Sequence, residues 1–498
     1  MDRNKDYEAS FLEDAAEQIA YKPLRPSIVQ ELRDHIEDRA EEYEAGGLCP
    51  ADARKKAVEA MGDGVAVGAG INAVRCVRHN GLLTILTVLL MLFGLAGAAY
   101  MSWSPEQQSN GFLYYLPGTA LLIFTAYKGY PWLVRYQKKL LTLASLLILW
   151  EAAYSLLSRR SLLPVSILRT GIFVPVYMIG YYATLLLGPV LVIAIYRLRA
   201  RAFKAMAAAI LVPAAAVMFR FDIGYTFKLA AMAVFLISMM GTLLFMIHRG
   251  IIKGAKPRLY AVAGAGGILV MGLFSRVPFQ HTSWQAFTAP GAHAASVWED
   301  AYNGVLIQDL LARTPLTGGI SLTQEELMSY GTGEWYYGST DGLPYYQIKD
   351  REKTGTLRGY IHYDESDVTL WDILPQHYHN NYLIAVLILL CGWLPGLLLL
   401  GAIAAFYILI FSRIRKIHGA LAGAVSLYCG LCLMLQSLLY VLGNFGFQYS
   451  TFTNLPLISE GRLSIMVNML LLGFIFSAYR YDRVIDMPAA DQSGPYMA

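Results

Sequence analysis

The chain has 498 residues, of which 56% are hydrophobic and 15% charged, with 40 basic and 36 acidic residues. Soluble globular proteins carry about 25% charged residues, so this composition excludes a soluble protein, a disordered chain and a secreted disulfide scaffold. It predicts an all-α, multi-pass integral membrane protein. The basic residues lie between apolar segments rather than on one polar face, which argues against a nucleic-acid partner.

The N-terminal residues 1–78 predict a small cytoplasmic domain of three helices. The first helix is predicted over about 8–21 and the third over about 51–61. The second is predicted to begin at Ser27, where Gln30 completes a capping-box pattern. Its apolar face, with a spacing of three or four residues, consists of Ile28, Leu32, Ile36, Ala40 and Tyr43, and Gly46–Gly47 predicts its end.

The same region resembles a known helical domain. Glu31–Ile36, Tyr43, Gly46–Gly47 and Met61–Asp63 are similar to the HAAS or permease-prefix domain, which precedes membrane modules in some Gram-positive bacteria. The resemblance implies a cytoplasmic regulatory or contact module. Its partner is not identified by the sequence.

Ten apolar segments predict a polytopic domain over residues 79–481, followed by a cytoplasmic tail, 482–498. Most approach the roughly 20 residues that cross a bilayer. They lie near 81–101, 112–127, 140–157, 171–196, 205–219, 227–247, 259–274, 382–411, 419–442 and 461–479.

Basic residues predict the orientation of these segments. They follow every even-numbered segment, so both termini are predicted to be cytoplasmic, in a bacterial plasma membrane. Residues 275–380, with 6 basic and 13 acidic side chains, then form one large outer loop, and loops of this length are usually functional. A short outer loop with Arg159, Arg160 and Arg169 departs from the rule, and Arg160 is a candidate phosphate contact.

The most specific pattern lies near the C-terminus, where Asn444 precedes Asn454–Ser464. This pattern resembles the "N…GxxLPFISYGGSS" signature of the SEDS family (shape, elongation, division and sporulation; the FtsW, RodA and SpoVE proteins). The matching positions are Leu455, Pro456, Ile458, Ser459, Gly461 and Ser464.

Two further segments are similar to motifs of the same family. Asp222–Gly224 resembles "PDLG", and Leu374–Gly392 resembles "LPE-x-HTDFIFAV…EELG" with one residue inserted. The order of the three segments, the ten predicted spans and the large outer loop agree with the family. The resemblance covers residues 80–480.

The resemblance implies a role in peptidoglycan synthesis during cell shape maintenance, division or sporulation. Members of the family are glycosyltransferases that polymerise the lipid-linked peptidoglycan precursor at the outer membrane face, with a transmembrane peptidoglycan synthase (a penicillin-binding protein) as partner. The chemistry needs a base for the acceptor hydroxyl and stabilisation of the departing diphosphate. A divalent cation, Mg or Mn, held by that diphosphate and by carboxylates is compatible with it.

The chain departs from the family at the expected base. The aspartate of "HTDF" falls on Asn381, and a carboxamide cannot accept a proton near neutral pH. Asn381 is interpreted either as the cap of a half-helix or as a substrate contact. Asp222 is the alternative base, unless it pairs with Arg220, and Glu460 is either a replacement acid or a solvated loop residue. The candidate substrate contacts are His379, Arg220, Asn444, Ser459, Glu460 and Arg160.

Two other functions remain open. A catalytically degenerate scaffold or regulator of wall synthesis is favoured by Asn381. A flippase or permease for a lipid-linked substrate is favoured by Pro213 and Pro395 within spans, although a transporter should show paired broken helices and no clear internal repeat is present.

Overall fold

The computed structural model describes most of the chain. The described residues are 2–74, 78, 80–102, 111–159, 176–218, 227–276, 280–294, 300–338, 368–375, 378–449, 454–459 and 461–482. Within these ranges every regular element is a helix.

The N-terminal region has a hydrophobic core of its own, built by four helices. They are α1 (Asp2–Glu17), α2 (Arg25–Ala45), α3 (Pro50–Met61) and α4 (Gly64–Val74). The core contains the predicted face of α2, since Ile28, Leu32, Ile36 and Ala40 are all buried. The fourth helix was not expected from the sequence; its Gly68 packs directly on the backbone of Ala15 in α1.

The start of α2 differs from the prediction. The helix begins at Arg25 with proline in its first turn, where a fixed φ and a missing N–H are tolerated. The Ser27 hydroxyl therefore lies inside the helix and donates to the Leu24 carbonyl, 2.8 Å away. The predicted capping box of Ser27 and Gln30 is wrong. The predicted end is confirmed, because Gly46 caps the helix and Gly47 has a φ of +95°.

Further helices follow in the order of the predicted apolar segments. They are α5 (Gly81–Ser102), α6 (Tyr115–Arg159), α7 (Val176–Arg197), α8 (Ala202–Met218), α9 (Phe227–His248) and α10 (Lys256–Phe274). Nearer the C-terminus come α17 (Tyr378–Asn381), α18 (Leu383–Cys391), α19 (Trp393–Ile414), α20 (Ala420–Asn444) and α21 (Arg462–Tyr481). The long polar segment 275–380 contributes α11 (Gln280–Thr288), α12 (Pro290–His293), α13 (Asp300–Arg313), α14 (Gln324–Thr332), α15 (Glu334–Tyr337) and α16 (Leu370–Ile373).

The helical segments confirm a multi-pass membrane protein. Among the described residues, six helices are long and apolar enough to cross a bilayer: Gly81–Tyr100, Leu229–His248, Lys256–Phe274, Trp393–Ile414, Ala420–Asn444 and Leu463–Tyr481. The count of ten crossings and the orientation remain predictions.

The predicted loop between the second and third apolar segments is helical, because α6 continues through it to Arg159. Pro131 lies inside this helix and leaves the Tyr127 carbonyl without its usual N–H donor. The Tyr481 hydroxyl of α21 donates to that carbonyl at 2.6 Å. The Ser477 hydroxyl accepts from the neighbouring Tyr130 N–H at 3.0 Å. Contacts with α21 thus stabilise the helix at the position where sequence patterns predict its end.

The same arrangement occurs in α7. Pro189 lies inside this helix, and the carbonyl four residues earlier, that of Leu185, accepts from the Tyr428 hydroxyl of α20 at 3.0 Å. The Tyr428 ring packs against Gly188, where a Cβ would lie 1.8 Å from the ring carbon Cζ. Any larger residue at position 188 would displace the tyrosine from the carbonyl.

Candidate functional site

The predicted span over 382–411 is broken into two helices. α18 ends at Cys391, α19 begins at Trp393, and Gly392 between them has a φ of +94°. Nine residues of α18 extend about 14 Å, less than half the bilayer core. The prediction of one continuous span is therefore wrong at this point.

The segment 315–318 stabilises this break by backbone hydrogen bonds. The Cys391 carbonyl accepts from Gly318 N–H at 3.1 Å, and Trp393 N–H donates to the Pro315 carbonyl at 3.1 Å. A Cβ at position 392 would lie 2.7 Å from the Leu316 carbonyl oxygen, so a glycine is needed for the backbones to approach this closely. Residue 392 is the glycine at the end of the "EELG" resemblance.

A second break separates α17 from α18, and Asn444 of α20 spans it. The Asn444 Oδ1 atom accepts from the N–H groups of Ile384 and Ala385, at 3.0 and 3.1 Å. Its Nδ2 atom donates to the Asn381 carbonyl at 2.9 Å and to the Tyr440 carbonyl at 2.9 Å. Asn444 is fully buried. These four contacts use the two donors and two acceptor positions of a carboxamide, so Asn444 positions the break.

Two other side chains reinforce the same turn. The Tyr440 hydroxyl donates to the Asn380 carbonyl at 2.6 Å and accepts from Leu383 N–H at 3.1 Å. The Tyr382 hydroxyl donates to the Gln448 Oε1 atom at 3.1 Å. The turn is therefore fixed along its length by α20 and by the residues that follow it.

These contacts bear on the interpretation of Asn381 as a half-helix cap. The N–H groups at the start of α18 are satisfied by the Asn444 side chain, and Asn381 is the last residue of α17. The capping role proposed for Asn381 is therefore carried by Asn444 instead. A substrate contact by the Asn381 side chain stays a prediction.

Aromatic rings surround α17. Trp371 stacks on Tyr378 with ring centroids 5.3 Å apart, and Tyr378 contacts the His379 ring edge-on at 6.1 Å. The Asn380 Oδ1 atom is buried and has no hydrogen-bond partner among the described residues. Asp372, a carboxylate close to α17 in sequence, accepts from Thr369 N–H at 2.9 Å and from the Thr369 hydroxyl at 2.6 Å in a capping box.

Helix α13 packs against the residues that follow α20. The Gln308 side chain donates to the Phe445 carbonyl at 3.2 Å, and Gly304 contacts the backbone of Gly446. Burial raises the pKa of Tyr302 in the same helix. Burial and the Asp309 carboxylate, which accepts from the Tyr330 hydroxyl, raise the pKa of Tyr330. Both phenols stay protonated at neutral pH and cannot act as bases.

Ser459 belongs to a separate turn, residues 454–459. Its hydroxyl oxygen accepts from Leu455 N–H at 2.8 Å and is 1% exposed. Leu457 has a φ of +71°, a conformation that non-glycine residues rarely adopt, and its carbonyl accepts from the Tyr115 hydroxyl at 3.2 Å. Contacts with α6 thus stabilise the strained turn that carries the "LPxIS" residues.

The structure brings together only part of the predicted site. Asn381 and His379 lie in α17, and Asn444 is bonded to the Asn381 backbone. Four predicted site residues lie outside the described residues: Asp222, Arg220, Glu460 and Arg160. In the part of the chain that the structure describes, no group of three or more His, Cys, Asp or Glu side chains is placed to hold a metal ion.

Tyr440 and Gln448 were not identified from the sequence. A tyrosine four residues before Asn444 puts two polar side chains on one face of an apolar helix, and polar residues inside a membrane are costly and usually have a specific role. That spacing is the signal that predicts Tyr440. Gln448 follows the helix and has no comparable pattern.

The comparisons with known proteins include a distant match to a solved structure. No family model matches the sequence, and no curated protein matches it. A chain from a solved structure, described as "Structural coordination of polymerization and crosslinking by a peptidoglycan synthase complex", aligns with 82% of this chain and 99% of its own length. The TM-score is 0.45 and the sequence identity 14%. At this similarity neither fold nor function is transferred from that chain.

Proposed function

We propose that this protein is a SEDS-like membrane protein of cell-wall synthesis that binds the lipid-linked peptidoglycan precursor at the outer membrane face. The observation that supports it is the bonding of two segments that separately resemble the family. Asn444 lies 63 residues from Asn381 in sequence, and its amide bonds to the Asn381 carbonyl. Two matched segments therefore belong to one structural unit, the turn between α17 and α18.

The arrangement of this turn suits recognition of a polar head group. His379 and Asn381 are half-buried in a four-residue helix that ends at the break before α18, next to the Trp371–Tyr378 stack. Aromatic faces bind sugar rings through their apolar surfaces, and an imidazole binds phosphate oxygens. Tyr440 and Asn444 fix the turn before any ligand binds, so binding costs little conformational entropy there.

Catalysis is the less supported half of the proposal. The α17 and α18 sequences contain no Asp or Glu, so a carboxylate base or a carboxylate ligand for Mg or Mn has to come from elsewhere in the chain. A non-catalytic scaffold that binds precursor and a penicillin-binding protein is therefore a second candidate. The observation that favours it is Asn381 at the position where the family has its aspartate.

A polymerisation assay with purified full-length protein and fluorescent lipid-linked precursor tests both candidates. We expect the native protein to bind the precursor and to polymerise it slowly or not at all. Asn381→Asp should raise the polymerisation rate at least tenfold, since proton transfer by a positioned base contributes roughly 10²–10⁴-fold. Addition of EDTA tests the divalent cation in the same assay.

Asn380→Asp is the matched control, because it adds the same charge to the same short helix one residue away. It should not raise the rate. Precursor binding without any gain from Asn381→Asp would favour the scaffold, and absence of precursor binding by the native protein would refute the proposed function altogether.

A further inference from the structure

A cavity of about 390 Å³ lies between α5, α6 and α21, away from the α17–α18 turn. Its apolar walls come from all three helices, with Val88 and Met91 on α5, Leu122 and Ile123 on α6, and Phe476 on α21. Val88 is 47% exposed and Ile123 is 56% exposed, so the cavity opens sideways between membrane helices.

The cavity has the depth of one membrane leaflet. On α5 it extends from Asn80 to Met91, which are about 16 Å apart at the helical rise of about 1.5 Å per residue. This is about half of the roughly 30 Å hydrocarbon core of a bilayer. A single acyl chain fits a groove of this depth that is open to lipid.

One end of the cavity is polar and basic. Arg78, Asn80 and Arg480 line it there. The Arg480 guanidinium lies over the Tyr127 ring at 4.3 Å, and that of Arg78 lies over the Tyr479 ring at 5.4 Å. These cation–π contacts hold both charges at the mouth of an otherwise apolar cavity.

Asn80 is an independent indication of a ligand. It is 9% exposed, and its Nδ2 donor is buried with no hydrogen-bond partner among the described residues. An unpaired buried donor is costly. It lies at the start of α5, where helix N–H groups also favour a negative charge.

Among the described residues, Arg78 is paired with Asp482 and still keeps donors for a ligand. Asp482 is 3.5 Å from Arg78 Nη1, but its carboxylate also accepts from the backbone N–H groups of His418 and Gly419, at 2.9 and 2.6 Å. A guanidinium carries five N–H donors. The contacts of Arg78 Nη1 with Asp482 and with the Lys416 carbonyl therefore leave other donors of this guanidinium for a ligand.

From these observations we infer that the cavity binds one anionic phospholipid, with its phosphate between Arg78, Asn80 and Arg480 and an acyl chain along Val88 and Ile123. Basic pockets between membrane helices bind such head groups. The apolar, laterally open walls favour a phospholipid over free phosphate. On the predicted topology the lipid comes from the cytoplasmic leaflet, and the site does not depend on the proposed function.

Native mass spectrometry of the full-length protein tests this site. The delipidated protein is titrated in detergent with phosphatidylglycerol and, separately, with phosphatidylcholine, and the Kd of the first bound lipid is measured. Arg480→Gln should raise the Kd for phosphatidylglycerol at least tenfold, which corresponds to about 1.4 kcal/mol. Arg415→Gln is the matched control, since this exposed arginine lies at the same end of the membrane helices and does not line the cavity. It should leave the Kd unchanged.

A second variant separates binding from folding. Ala126→Phe places a ring in the apolar groove and keeps both arginines; it should weaken phosphatidylglycerol binding as strongly as Arg480→Gln. Equal Kd values for the two lipids, or unchanged binding in both variants, would overturn the inference. Displacement of bound phosphatidylglycerol by millimolar inorganic phosphate would also overturn it, because the polar end would then bind phosphate alone.

Discussion

Asn444→Ala should open the turn between α17 and α18. The substitution removes three hydrogen bonds that join α20 to this turn, to the Ile384 and Ala385 N–H groups and to the Asn381 carbonyl, all at 2.9–3.1 Å. A buried hydrogen bond contributes about 1 kcal/mol net. The loss is therefore about 3 kcal/mol, which raises the equilibrium constant for local opening roughly a hundredfold.

Hydrogen–deuterium exchange of the purified protein measures this opening directly. In Asn444→Ala, peptides that contain Ile384 and Ala385 should exchange much faster, while peptides from the α9 interior should not change. The loss of protection is local because the Ile384 and Ala385 N–H groups lie in the first turn of α18, where no backbone acceptor within the helix is available.

Asn468→Ala is the control for a general loss of stability. Asn468 is also buried in a membrane helix, and its Oδ1 accepts from the Gln436 side chain at 3.0 Å, with no contact to the α17–α18 turn. It should leave exchange at Ile384 and Ala385 unchanged. If Asn444→Ala leaves it unchanged as well, the Asn444 side chain does not hold the turn.

Three further predictions concern other parts of the chain. Leu32→Ala should destabilise the N-terminal core by about 2–5 kcal/mol, as measured by urea unfolding of residues 1–78; a loss under about 1 kcal/mol would mean that Leu32 is not central. Single cysteines in 300–338 should react with an impermeant maleimide in intact cells and those in 250–256 should not; the reverse result would invert the topology. The hydrogen bond from Thr323 N–H lowers the pKa of Glu326, so the cap that this carboxylate forms on α14 is present above the unfolded pKa of about 4.3 and is lost as the pH falls through the lower folded pKa. Hydrogen exchange of α14 should therefore become faster at acid pH, and this acceleration should disappear in Glu326→Gln. If the acceleration persists in that variant, titration of Glu326 is not its cause.

Local patterns predicted where most helices lie. The buried face of α2 and the bounds of α5, α9 and α20 follow from apolar spacing and length, which depend on nearby residues alone. Two of the three motif segments also indicated Asn381 and Asn444, which the structure joins.

The breaks and the continuous α6 could not be predicted in the same way. The break at Gly392 depends on backbone bonds to Pro315 and Gly318, more than 70 residues earlier. The continuity of α6 through Pro131 depends on Tyr481, some 350 residues later. No window of sequence around either position contains the partner that decides the conformation.

The polar residues of the last two long helices share a physical role. Tyr428 and Asn444 of α20, and Tyr481 of α21, each bond to backbone groups that a proline or a helix break leaves without a partner. In a bilayer these groups cannot turn to water, so the partner has to come from a neighbouring helix. A polar residue in a membrane helix is a functional candidate by default, but these three side chains have a structural role as hydrogen-bond partners of the backbone. His379, Asn380 and Asn381 are the half-buried side chains of α17 beside the turn that these contacts fix, and the proposed precursor recognition is to be tested there.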